Sequence, residues 1–193
     1  METGSDGDAK GATKPMRADA QRSLDALLQA AKDVFTVEGV DAPIRTIANK
    51  AGVGLGTVYR HFPQRSDLIA AVFRREIDDC ADAAIDLAQR HEPFEALRLW
   101  MQRFSAFFAT KRGLAGALHS GEPAYSALPG HFEARLRPAL QELLASASAT
   151  GRIRSDIAAD ELLGAIARLS MSENDDPAQA QRMVALLADG LLL

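Results

Sequence analysis

The residues best equipped for chemistry lie between positions 42 and 75, where six basic side chains (Arg45, Lys50, Arg60, Arg65, Arg74 and Arg75) face a single acid, Asp67. Cations at that density suit a polyanion, and their setting sharpens the point. Residues 1–75 carry 11 Lys/Arg against 9 Asp/Glu, whereas residues 76–193 carry 11 against 17, so a basic end sits on an acidic body of net charge −4 overall. Other chemistries lack their groups. The histidines at 91, 119 and 131 have no compact metal-ligand spacing, and Cys80 is the single cysteine. There is no Gly-rich phosphate loop, nucleophile elbow or metalloprotease motif. The reading is a binding protein rather than an enzyme, with no cofactor and no metal.

The elements that must position the basic groups are helical. Ala (36) and Leu (23) far outnumber Val (7), Ile (8) and Thr (7), a balance that favours helices over strands. The fold class expected is all-α, with about nine helices. Residues 1–16 are polar and rich in glycine, so they read as a disordered arm, with Lys10, Lys14 and Arg17 in a solvated tail. They lack the apolar core of a secretory signal, no apolar run is long enough to cross a bilayer, and one cysteine suits a reducing compartment; the expectation is a cytoplasmic protein away from membranes. Leu24, Leu27, Leu28, Ala31 and Phe35 share one face of a first helix from Arg17, which Gly39 stops.

Residues 43–62 read PIRTIANKAGVGLGTVYRHF, two short helices joined by a tight turn at Gly52, with apolar anchors at Ile47, Ala48, Val53 and Val58. This is helix-turn-helix spacing, which lays a second helix in a major groove of double-stranded DNA. A long fourth helix capped by Ser66 follows, then a fifth from Pro93 to Arg112. The stretch 113–130 reads as a short sixth helix with loops. The last three fall at 131–150 (kinked at Pro138), 159–171 and 177–190. The domains expected are a head at 17–65 and a body at 66–193. Apolar stripes on the last two helices (Leu162, Leu163, Ile166 and Leu169; Met183, Val184 and Leu187) and the terminal Leu191, Leu192 and Leu193 point to a homodimer through 159–171 and 177–190. Cys80 reads as packed core.

Ile47-Ala48, Ala51-Gly52-Val53, Gly56-Thr57, Tyr59, His61-Phe62 and Arg65 with Leu68 resemble the DNA-binding signature of the tetracycline-repressor (TetR) family, over roughly residues 20–70. Two positions depart from it: Ala42-Pro43, where the family often has Thr or Ser, and Gly54, where it often has a capping Ser. The resemblance implies a regulator that grips a palindromic operator as a dimer and is released, as a repressor, by a small-molecule effector. It places Thr57, Tyr59 and His61 against phosphates or groove edges. Arg45, Thr46, Arg60 and Arg65 complete the polar contact set, with Gly54, Leu55 and Gly56 at the leading edge of the recognition helix, where Leu55 can touch a thymine methyl.

The family keeps its ligand cavity among helices corresponding to the body. That implies lining by Trp100, Met101, Phe104, Phe107 and Phe108, with His119, Tyr125, His131 and Arg168 as polar groups. The same aromatic stripe at helical spacing also reads as plain core. A dimeric DNA-binding regulator governed by partners or abundance is the alternative, and a helical enzyme that docks through the head a weaker one.

Overall fold

The computed structural model describes residues 13–110, 121–171 and 176–193. Eight α-helices account for most of them: α1 (Thr13–Glu38), α2 (Ile44–Ala51), α3 (Leu55–His61), α4 (Arg65–Arg90), α5 (Pro93–Thr110), α6 (Leu128–Ala149), α7 (Ala159–Ser170) and α8 (Pro177–Asp189). The expected short helix within 113–130 is not an α-helix where it is described: Pro123–Tyr125 form a single 3-10 turn, and 111–120 lie outside the described residues. The expected arm at 1–16 lies outside them too, apart from its last residues, which begin α1.

Local chemistry sets the breaks. Gly52 takes φ +68°, a left-handed conformation that side-chain-bearing residues avoid, and so lets Val53 N–H reach back to the Ala48 carbonyl at 3.0 Å. Ser66 does not cap α4, because the helix already starts at Arg65; the Asp67 carboxylate instead accepts from the Gln64 N–H at 3.0 Å. Pro138 sits inside α6 without ending it.

Helices α1 to α3 form a small head, and α4 leaves it to become the spine of the body, packed against α5 and α6. Its buried face is shared: Leu68, Ile69 and Val72 lie at the head end, Phe73 meets Phe107 of α5 edge-on at 6.2 Å, and Ile77, Cys80, Ala81 and Ala84 follow along the body. One continuous apolar core results. Polar ties reinforce the joint on the α1 side, with Lys32 to Glu76 at 2.7 Å and Arg75 to Asp25 at 3.0 Å. At the far side of α4, Asp78 accepts from Arg135 of α6 at 2.8 Å and pairs with His131 at 2.9 Å, and Arg135 also reaches Asp82.

The body is centred on α5. Trp100 and Phe104 are fully buried and stacked at 5.4 Å, and Phe108 meets Phe104 edge-on at 5.0 Å. Rings offset or crossed in this way contribute about 0.5–1.5 kcal/mol per pair beyond their burial. At the end of the chain an isolated antiparallel bridge joins Leu192 to Ile153 and turns Leu191 inward, so the terminal leucines are partly consumed within their own chain.

Candidate nucleic-acid interface

The head presents α2 and α3 with their apolar faces inward. Ile47, Ala48 and Val58 are buried, and Leu55 is half-buried against the same core. What remains outside is a nearly acid-free surface: Arg45, Gly54, Gly56, Arg60 and His61 are exposed, Tyr59 is 54% exposed, and Thr46 and Thr57 are half-exposed between them. The expected contact residues other than Arg65 and Leu55 are thus exposed or half-exposed on or beside these two helices. Gly54 and Gly56 have ordinary negative φ, and a Cβ on either would meet nothing within the chain. The fold itself therefore has no need of glycine there, and the backbone is left bare where a helix would enter a groove.

Three of the six basic groups at 42–75 are partly spoken for, Arg75 by its tie to Asp25. Arg65 donates to the Val40 and Ala42 carbonyls at 2.5 and 2.8 Å, bolting the start of α4 to the loop between α1 and α2. Lys50 pairs with Asp33 at 3.0 Å, and its hydrogen bond holds the Asp33 carboxyl below the usual range. Spacing along the chain gives no sign of either tie, since the acceptors of Arg65 lie 25 and 23 residues upstream.

In the body the structure gathers the apolar half of the expected ligand set and scatters the polar half. Trp100, Met101, Phe104, Phe107 and Phe108 are all buried and mostly in mutual contact. Tyr125 is buried on the 3-10 turn against α4, where burial first and then the charge of Glu122 raise its pKa and where Arg65 and Asp67 are also felt. His131 is held by Asp78, Arg168 lies exposed on α7, and His119 falls outside the described residues. The clasp of Asp78, Asp82, His131 and Arg135 has no sequence signature, its acidic and basic halves lying more than 50 residues apart.

Cys80 is buried, and burial is the main force pushing its thiol from 9.0 up to about 12. Its carbonyl accepts from Trp100 Nε1 at 2.9 Å. The folded thiol should therefore react slowly with iodoacetamide at pH 8 and rapidly once the chain is unfolded. Because the folded state holds this proton more tightly than the unfolded one, the contribution of Cys80 to stability is intact below pH 9 and is lost as pH rises toward 12. Equal labelling rates for folded and unfolded protein would contradict this burial.

Among the described residues there is no group of three His, Cys, Asp or Glu able to hold a metal, and no helix is long and apolar enough to cross a membrane. A helix-turn-helix head with an outward basic and hydroxyl-bearing surface, carried on a helical body, defines a DNA-binding transcriptional regulator. Residues 27–72 match the family described as bacterial regulatory proteins, tetR family, and residues 92–193 match the SbtR-like transcriptional regulator C-terminal domain. The chain belongs to the TetR family.

A TetR transcriptional regulator of Streptomyces coelicolor is 38% identical, with 87% of this chain and 97% of that one covered at a TM-score of 0.74. A TetR regulatory protein from Mycobacterium vanbaalenii is 37% identical over 93% and 100% of the two chains, also at 0.74. An HTH-type transcriptional regulator of Staphylococcus aureus is 39% identical over 64 residues; the match spans 33% of this chain and about a third (35%) of the curated relative. Family and relatives alike place the chain among non-enzymatic DNA-binding regulators.

Proposed function

We propose that this protein is a repressor that binds a palindromic operator as a homodimer and leaves it when a small molecule occupies the body. The observation that carries the reading is α4, which shares one core with the DNA-facing head and with α5 and α6. A shift of α6 or α5 is thereby delivered to the head as a rigid-body swing. Two heads splayed by such a swing no longer match successive major grooves, about 34–36 Å apart. The effector needs only to prefer the splayed arrangement, and linkage then requires operator DNA to weaken its binding by the same factor. The division into a head at 17–65 and a body at 66–193 goes with this reading, with α4 as the part that serves both.

Dimerisation rests on what the last helices leave uncovered. Leu162, Leu163, Ile166 and Val184 are buried within the chain itself, so those stripes are not the free surface. The exposed apolar side chains are Met171 at the end of α7, Leu186 on α8, and Leu192 and Leu193. Exposed apolar side chains of this kind are what a two-fold partner would cover.

Sedimentation of the native protein at micromolar concentration should give a dimer, and DNase footprinting should show two protected half-sites one helical turn apart. Leu186→Asp should sediment as a folded monomer and lose most operator affinity, since each head then binds alone. A native monomer, or a Leu186→Asp dimer, would reject the assembly.

A further inference from the structure

Beside the joint between head and body lies a cleft of about 180 Å³, walled by Lys32 of α1, Glu76 and Asp79 of α4, and Arg103 of α5. Buried Cys80 and Phe107 form its floor, with Ala106 at the edge. Pockets for drug-sized ligands run to about 300–1,000 Å³, so an occupant here is small.

The walls carry two cations and two carboxylates, and these are incompletely matched to one another. Lys32 meets Glu76 at 2.7 Å through Oε1, leaving Oε2 outside that bond on a side chain only 12% exposed. Asp79 pairs loosely, with Arg75 at 4.0 Å. Arg103 donates to the Asp79 backbone carbonyl at 3.2 Å and makes no ion pair among the described residues. After burial, the charges felt at the Cys80 thiol are those of Arg103, which lowers its pKa, and of Glu76 and Asp79, which raise it. Both signs therefore converge on the floor. Such a lining sets a repelling group against any ligand of single charge, but each end of a zwitterion finds its opposite.

We propose that the cleft binds a free α-amino acid with a small apolar side chain. Its ammonium lies on Glu76 and Asp79, its carboxylate on Arg103, and its side chain over Cys80 and Phe107. This rests on the regulator reading above and names the class of effector. The pair of Lys32 and Glu76 ties α1 of the head to α4. An ammonium that competes with Lys32 for Glu76 loosens the head at that point, and operator affinity falls.

Trp100 is the one tryptophan of the chain and donates to the Cys80 carbonyl at 2.9 Å, so its emission reports on the floor. The full-length protein is titrated with L-alanine, L-valine and L-methionine, and with the amide and the N-acetyl derivative of each. Equilibrium dialysis measures binding, and Trp100 emission locates it. At least one free amino acid should bind saturably, shift the emission and lower operator affinity. Its two derivatives, each lacking one charge, should bind about tenfold more weakly or not at all. Arg103→Gln and Asp79→Asn, both at exposed positions, should each weaken the amino acid by about tenfold and keep the native melting temperature.

No binding by any of the three amino acids, a derivative that binds as well as its parent, or unchanged binding in both variants would overturn the site. Binding that leaves operator affinity unchanged would overturn its effector role. Operator binding by the ligand-free protein, measured on the same samples, reports on the regulator reading alone, so the two can fail separately.

Discussion

Arg60→Ala and Tyr59→Ala should keep the native helical content and melting temperature yet lose operator affinity by roughly thirtyfold or more. Both side chains stand outside the head core, Tyr59 being 54% exposed. Truncating them leaves no cavity, and the cost to folding stays within the few tenths of a kcal/mol usual for surface positions. On DNA the balance reverses. A groove-edge contact discriminates by about 1–3 kcal/mol, and a dimer makes it twice, giving about 2–6 kcal/mol in total.

Salt separates the two roles open to Arg60. If it neutralises a phosphate, the alanine variant binds with a shallower dependence of log affinity on log salt; if it reads a base, the slope holds and sequence preference relaxes. Gly56→Ala tests the bare backbone beside it. A Cβ there meets nothing in the chain, and alanine gains up to about 1 kcal/mol of helix propensity, so melting should not fall. Operator affinity should fall nevertheless, because the methyl group stands where the groove wall would come. Native affinity in all three variants would remove α3 from the DNA.

The parts of the fold and of this interface that were legible are those written in local spacing. Gly52 between two short amphipathic runs dictates the turn, and the periodicity of Leu97, Trp100, Met101, Phe104 and Phe108 dictates which face of α5 is buried. Long-range polar ties were not legible. Arg65 counts as one more cation in the sequence, whereas in the fold its guanidinium closes on two loop carbonyls. The grip of His131 and Arg135 on Asp78 depends on α4 and α6 lying side by side, which no interval along the chain announces. The terminal leucines show the same limit. Hydrophobicity marks all three as surface to be covered, but only the bridge to Ile153 decides that Leu191 is covered from within.

The aromatic stripe is the case in which sequence leaves two readings open, and a stability measurement decides between them. Phe104 is fully buried, with Trp100, Phe107, Phe108 and Phe132 all within ring contact. Phe104→Ala should therefore cost about 3–5 kcal/mol, the transfer free energy of the ring plus the penalty of a cavity its neighbours cannot fill. For a chain of this length about 2–4 °C is lost per kcal/mol, so the melting temperature should drop by roughly 6–20 °C.

Unfolding should remain a single transition, because the head core is continuous with that of the body along α4. Phe104→Leu, which keeps most of the volume, should cost distinctly less. Were Phe104 instead the wall of an open cavity, its ring would already face empty space, and truncation would forfeit few contacts. A loss below about 1 kcal/mol would show that. A large loss places the ring in the structural core, where its stack helps to hold α5 to the head-bearing helix.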